Sequence, residues 1–356
     1  MKPNVLIINK SQFGYHTDTF YYCKYLSDNF NVTYLCFDEN NKKQKISNVN
    51  VIYVCWKGSF FYKAFNFFKE IYKEINLNKY HLIFVVNFSF CFITRFFNLS
   101  ANFILDLRTG SVRKSPFSRF CEDFMTKINF LFFKHKTIIS KSLANQFKVQ
   151  KYTELPLGSE IISSSNKNFD YLKLLYVGTF SNRRIIDTLK ALEIFVNKNL
   201  SNNLICYTIV GFGTKEEEIN ISKAIIKFNL SHIVNFVGRV SLDKLEKYFD
   251  THNVGVAYIP QTNYFDCQPS TKIFEYSLSG LITIATNTAE NRKYINKFNG
   301  LICEDNSLSL YHALESVSSN LKSFNSNDIR SNFLIYTWKK IVANILRKKI
   351  KEIIYK

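Results

Sequence analysis

Residues 264–286 read Tyr-Phe-Asp-Cys-Gln-Pro-Ser-Thr-Lys-Ile-Phe-Glu-Tyr-Ser-Leu-Ser-Gly-Leu-Ile-Thr-Ile-Ala-Thr. The order is loop, helix, buried strand. Pro269 suits a first helical turn, where a missing N–H costs nothing. Ser270 and Thr271 beside it can satisfy the orphan N–H groups of that turn. Ile273, Phe274 and Leu278 make an apolar stripe at helical spacing, Gly280 stops the helix, and Leu281 to Ala285 is a short apolar run of buried-strand type. Lys272 and Glu275 lie three apart and so share a helix face. A helix N-terminus with a lysine beside it is a ready anion site, and a carboxylate one turn on can accept hydrogen bonds from a sugar diol. Together they suit a nucleotide diphosphate with its ribose. The alternative is a surface Lys–Glu pair on an ordinary amphipathic helix.

Upstream, the same alternation repeats. Leu172 to Phe180 is a strand with a glycine turn at Gly178-Thr179, followed by a helix from about Arg184 to Val196. Arg183 at that helix start can make bidentate contacts to a phosphate on top of the helix dipole; a solvated helix start is the plainer reading. Leu204 to Phe212 is the next strand and runs into Gly211-Phe-Gly213, which as a lone G-x-G is a weak dinucleotide signal. Ile233 to Val240 ends in Gly238-Arg239-Val240. Val254 to Pro260 leads into the opening stretch. Downstream, Asn299 to Cys303 is a turn and strand, Ser307 to Val317 a helix, and Tyr336 to Lys356 one basic amphipathic helix. Ile161 to Phe169, polar and rich in Ser and Asn, is the expected interdomain linker.

The first 160 residues form a second set. Val5 to Ile8 is a strand, Ser11 to Asp18 a polar loop holding Gly14 and His16, and Thr19 to Leu26 a helix, so the loop faces the crevice where α/β sheets bind ligands. Asn31 to Phe37, Val49 to Trp56 and His81 to Phe88 follow as strands. Phe60 to Ile75 reads as a helix whose Phe60, Phe61, Phe65, Phe67 and Phe68 pack a core; an aromatic and basic face on a membrane is the other reading. Phe103 to Leu107 runs into Arg108, with Asp106 two before it. Charged residues at a strand's carboxyl end point to a ligand crevice, and a salt bridge at the strand end is the alternative. Arg119 to Phe133 is a helix, Thr137 to Ser140 a strand and Lys141 to Phe147 a helix.

The 356 residues suffice for two domains, and a hydrophobic content of 46% marks a globular chain. Phe, Tyr, Ile, Asn and Lys are plentiful, part of which reads as codon bias. The eight cysteines show no C-x-x-C pair and read as small core residues, which favours a reducing compartment. No uncharged apolar run reaches the ~18–20 residues of a membrane span. The net charge is +19, with about +11 in residues 1–165, about +6 in 335–356 and about +2 elsewhere. An anionic membrane, an acidic substrate and nucleic acid all suit that balance. Against nucleic acid, the basic residues are scattered and form no reader motif.

The chain resembles the family 4 retaining glycosyltransferases of bacterial polysaccharide and glycan assembly. The resemblance rests on the P-x-x-K-x-x-E-Y…G run from Pro269 to Gly280, on Gly211-Phe-Gly213 and on the Pro-x-Gly turn at Pro156-Leu-Gly158. It implies an α/β GT-B fold: two Rossmann-like domains facing across a cleft, with a C-terminal helix returning to the N-terminal domain. The expected bounds are 1–160 plus 335–356 for the acceptor domain and 170–334 for the donor domain.

The resemblance also implies site roles. Gly178, Thr179, Arg183, Gly211, Lys272, Ser270 and Thr271 would surround the donor diphosphate, with Thr179 standing where the family has an arginine. Arg239 and Val240 would meet the base, and Glu275 the ribose. Gly14 is what remains of a glycine-rich loop near the donor phosphates. Arg108 would lie near the transferred sugar, standing where the family has a histidine; His16 is a candidate catalytic residue on separate grounds, as the one histidine in the loop expected to face the ligand. The family's E-x7-E motif has its first glutamate at position 267, where this chain has Cys267; Asp266 is the neighbouring carboxylate and the expected substitute.

The expected reaction moves a sugar from a nucleotide-diphospho-sugar to a hydroxyl of a glycan or a polyprenyl-diphosphate-linked glycan. It would proceed with retention and with neither cofactor nor metal, since preorganised cations can hold the departing diphosphate. The expected location is cytoplasmic, with a peripheral position on the inner face of the cytoplasmic membrane as its extension. The competing functions are a nucleotide-sugar epimerase of the same architecture and a non-catalytic nucleotide-sugar-binding protein.

Overall fold

The computed structural model describes residues 2–111, 115–198 and 205–355. Contacts divide the chain into unit 1, Met1–Leu157 with Trp338–Lys356, and unit 2, Gly158–Thr337.

Unit 1 runs β1 (Asn4–Ile8), α1 (Thr17–Leu26), β2 (Asn31–Asp38), β3 (Val49–Cys55), α2 (Phe60–Leu77), β4 (Leu82–Val86), β5 (Phe103–Leu107), α3 (Pro116–Phe132), β6 (His135–Ile138), α4 (Lys141–Gln146) and β7 (Thr153–Glu154). Among the described residues the strands form one parallel sheet in the order β3-β2-β1-β4-β5-β6-β7. Val5 to Ile8 and Leu82 to Val86 are apolar throughout because helices cover both sheet faces. The order reverses between β1 and β4, the topological switch point, where a crevice opens at the strands' carboxyl ends.

Unit 2 repeats the plan. It runs β8 (Leu172–Thr179), α5 (Ile185–Lys198), β9 (Ile205–Phe212), α6 (Lys215–Lys227), β10 (Val234–Gly238), α7 (Glu246–Thr251), β11 (Val254–Ala257), α8 (Asn263–Asp266), α9 (Thr271–Leu278), β12 (Ile282–Thr286), β13 (Gly300–Cys303), α10 (Ser307–Ser319) and α11 (Ser326–Phe333). Its parallel strands are ordered β10-β9-β8-β11-β12-β13, with the switch point between β8 and β11. Close approaches at glycines shape this sheet, among them Gly300, where a Cβ would stand 1.9 Å from the Thr283 carbonyl oxygen. A Cβ on Gly211 would stand 1.9 Å from the Gly178 carbonyl oxygen, and one on Gly255 would stand 2.2 Å from the Tyr276 ring.

The chain then closes on unit 1 with α12 (Trp338–Ile341), a π-helical turn Val342–Leu346 and α13 (Arg347–Ile354). The indole of Trp338 is buried, stacked on Tyr21 at 5.9 Å and edge-on to Tyr22 at 5.8 Å.

Several expectations change. The C-terminal helix begins at Trp338, not Tyr336, and the π-helical turn interrupts it; Lys356 lies outside the described residues, as does Leu204, the expected start of β9. The span expected as a linker, 161–169, belongs to unit 2. Ser163 N–H donates to Ser279 Oγ and Lys167 N–H to Ser326 Oγ, so its polar residues satisfy packed backbone instead of solvating a tether. Of the α2 aromatics expected in a core, Phe67 is buried and Phe68 half-buried, but Phe60, Phe61 and Phe65 are exposed.

Candidate functional site

The site is built at the carboxyl ends of the unit 2 strands. β8 ends in Gly178-Thr179, with the Thr179 carbonyl taking the Tyr176 hydroxyl at 2.6 Å. The loop beyond places Asn182 and Arg184 in left-handed conformations (φ +56° and +51°). Arg184, a residue that pays for such a φ, is pinned by ion pairs to Asp187 (2.6 Å) and Asp305 (2.9 Å). The turn is thereby stiffened around Arg183. The guanidinium of Arg183 lies 4.6 Å over the Phe265 ring, and its Nε is buried with no hydrogen-bond partner among the described residues.

α9 supplies the second cation. Its N-cap is Ser270, whose own N–H goes to Asn291 Oδ1 at 3.2 Å and whose hydroxyl makes no capping bond. The sequence places Pro269 in the first turn; the helix instead begins at Thr271, so Pro269 precedes the cap. The Ser270 carbonyl takes the Ile273 N–H at 3.1 Å, while its hydroxyl caps none of the first-turn N–H groups. Lys272 is buried and crosses Gly178 so closely that a Cβ there would stand 2.8 Å from its Nζ. Its ammonium lies 5.2 Å over the Tyr176 ring. Burial, then Arg183, pull its pKa down to about 8, while Glu275 opposes them. Glu275 is half-buried one turn on, its pKa raised by burial against the pull of Lys272. Lys272 and Arg183 thus form a pair of like charges whose mutual repulsion an anion would relieve.

Asp266, Cys267 and the loop after β12 form the neighbouring wall. Asp266 Oδ1 accepts the Ala289 N–H at 2.6 Å. The Cys267 thiol is held up first by burial, then by the charges of Asp266 and Glu290. Glu290 is fully buried; Oε1 takes Lys293 Nζ at 2.5 Å and Oε2 has no hydrogen-bond partner among the described residues. Arg239 and Val240 follow β10, with Arg239 stacked 4.5 Å over Phe212.

In unit 1 the expected residues gather at the switch point. Gly14 has φ +92°. His16 caps α1 through Nδ1, accepting the Thr19 N–H, and burial lowers its pKa against the opposing charge of Asp18. Arg108 is buried and ion-paired. Nε donates to Asp18 Oδ2 at 2.5 Å, Nη1 donates to the Leu155 carbonyl at 2.6 Å, and Asp106 Oδ1 lies 3.9 Å away. The salt bridge at the strand end is therefore formed. Desolvation works against the Arg108 charge, and Asp18, Tyr22 and Asp106 outweigh it. Asp106 also accepts the Thr137 hydroxyl, and burial pushes its pKa up to about 6.

Tyr176, Phe265 and Glu290 are site residues that the sequence reading missed. Tyr176 looks like any core residue of an apolar strand. Phe265 lies inside the opening stretch, but its place under Arg183 depends on the path of the 263–266 turn. Glu290 lies in the loop after β12, which the Asp266–Ala289 and Ser270–Asn291 bonds tie to the stretch around Cys267. Among the described residues no group of three or more His, Cys, Asp or Glu side chains is placed to hold a metal.

Two parallel α/β units in this order are the GT-B fold. Residues 172–320, most of unit 2, match the family described as glycosyl transferases group 1. No curated protein matches the chain in sequence. Among solved structures, it is similar to sucrose-phosphate synthase from Thermosynechococcus elongatus, with TM-score 0.73 and 14% identity over 99% of this chain and 100% of that one. A glycosyltransferase from Rickettsia africae gives 0.74 and 13% over 99% and 98%. HepE of Anabaena, solved with UDP and glucose, gives 0.70 and 11% over 98% and 100%.

Proposed function

We propose that the protein transfers a sugar from a nucleotide-diphospho-sugar to a hydroxyl of a glycan or lipid-linked glycan, with retention of anomeric configuration. The observation that carries the reading is the buried Lys272 ammonium, drawn across Gly178 beside Arg183 at the start of α9. That arrangement offers two cations and the positive end of a helix to a diphosphate, in the unit that matches a glycosyl transferase family. Glu275, one turn on, accepts the ribose hydroxyls.

In the transfer, negative charge grows on the departing diphosphate as the bond from its oxygen to the anomeric carbon breaks. Arg183, Lys272 and the first turn of α9 stabilise that charge without reorganising. Gly178 leaves room for the Lys272 side chain to cross the end of β8. Asp266 and Glu290 are the carboxylates nearest Cys267 and are assigned to positioning the sugar. Acceptor binding is assigned to unit 1 on its charge. Because the Anabaena neighbour was solved with UDP, uridine is the first base to test.

The experiment is incubation with UDP-, GDP- and ADP-sugars and a lipid-linked glycan extract, followed by nucleotide release and product mass. Release of diphosphate with a one-sugar mass gain on the acceptor supports the proposal. Conversion of the nucleotide-sugar to its epimer without an acceptor overturns it.

A further inference from the structure

Helix α3 turns an apolar stripe to solvent. Its buried residues are Thr126, Asn129 and Phe130, two of them polar. On the opposite side Phe117, Phe120, Phe124 and Leu131 fall at i, i+3, i+7 and i+14, all exposed, Phe117 at 76% and Leu131 at 81%. Helix α2 does the same: Phe67, Ile71 and Ile75 face the core, while Phe61, Phe65 and Tyr72 at i, i+4 and i+11 form a second exposed stripe. Helices selected only for packing place such rings inward.

The two stripes belong to one region. The 3-10 segment Cys91–Phe97 lies between the helices, with Phe97 edge-on to Tyr72 of α2 at 5.4 Å and Phe96 against Phe132 of α3 at 5.5 Å. Phe90 and Phe117 line one cleft. The exposed rings, each able to bury roughly 150–250 Å², exceed the patch of a few hundred Å² usual for a soluble monomer.

Charge selects the occupant. Unit 1 carries a net charge of about +18 and unit 2 about +1. Exposed Lys69 and Lys73 flank the α2 stripe, and exposed Lys127 lies in the α3 stripe. The acidic groups of these helices are engaged: Glu70 with Lys73, Glu74 with Tyr80, Glu122 and Asp123 with Ser111. Rings for the acyl–headgroup boundary and ammonium groups for phosphate fit an anionic bilayer. A second copy of the chain would bury those lysines in an interface core, where lysine is depleted.

We propose that unit 1 docks on an anionic lipid bilayer through the outward faces of α2 and α3 and the segment between them. The docking face borders the carboxyl ends of β3, β4 and β5. Binding to lipid is read without turnover, so the test does not depend on the transferase reading.

The full chain is sedimented with phosphatidylcholine vesicles and with vesicles that also contain phosphatidylglycerol. Binding is expected to the anionic vesicles and to weaken with salt. Phe61→Ser/Phe65→Ser and, separately, Phe117→Ser/Phe124→Ser each lower the partition coefficient at least about ten-fold with an unchanged thermal transition. Lys69→Glu/Lys73→Glu lowers it as well. Wild-type levels of binding in both phenylalanine variants overturn the proposal. So does absence of vesicle binding with a dimer, seen by sedimentation velocity, that the same variants dissociate.

Discussion

Lys272 is held in its less comfortable protonation state, and that makes it a reporter. Its pKa of about 8 in the folded chain lies below the ~10.4 of an unfolded lysine. Between those values the unfolded chain binds more protons, so this group's contribution to stability rises with pH from about 8 to about 10.4 and is lowest below 8. A diphosphate favours the charged form. Nucleoside diphosphate binding near pH 8 is therefore expected to take up a proton, read as a buffer-dependent enthalpy in calorimetry. Lys272→Met abolishes the uptake; an unchanged uptake in that variant places the proton elsewhere.

Asp106 works with the opposite sign. Its folded pKa of about 6 exceeds the ~3.9 of an unfolded aspartate, so its contribution is present below pH ~4 and is lost as pH rises through 6. Asp106→Asn should flatten that part of the stability profile. Arg108→Ala leaves two buried carboxylates without their counter-ion and is expected to cost about 3–5 kcal/mol in urea denaturation. Arg108 was legible as a crevice residue or a salt bridge. Its pairing with Asp18, ninety positions away, was not, because sequence gives no distance between two loops.

At the scale of elements, the alternation of apolar runs, glycine turns and amphipathic helices revealed most strands of both sheets along the chain, though not their order within each sheet. Parallel strands buried on both faces are short and wholly apolar, as at Leu82 to Val86, and few other structures produce that pattern. Which stripe of a helix faces inward was less legible. In α2 and α3 apolar residues occupy two faces, so periodicity finds an amphipathic helix without saying which side is buried. The opening stretch was read two residues too early, because Pro269 suits the first helical turn but also suits the position before the cap. Gly211 shows the other limit: the G-x-G was visible, but its reason is the Gly178 carbonyl across the β8–β9 pair. Gly211→Ala forces β8 and β9 apart and is expected to cost at least about 1–3 kcal/mol, measured by denaturant unfolding. An alanine accommodated at no cost would contradict the 1.9 Å approach.

At the scale of the whole molecule, the chain ends where it began. The α12–α13 segment carries Trp338 into unit 1, against Tyr21 and Tyr22. Trp338→Ala is expected to destabilise unit 1 by about 3–5 kcal/mol, seen as one of two calorimetric transitions moving down while that of unit 2 stays. The return of this helix was legible through the resemblance alone, since no local pattern states where a terminal helix packs. The charge asymmetry was legible by counting, and the fold sharpens it by adding the tail to unit 1.

The donor site itself is tested most directly by calorimetric binding of UDP, GDP, ADP and CMP to the wild type, Lys272→Ala and Glu275→Ala. The account predicts that one nucleoside diphosphate binds the wild type and that each variant weakens it at least about ten-fold, the size expected for losing a charged hydrogen bond. Absence of binding by all four, or equal binding by the wild type and both variants, would contradict it.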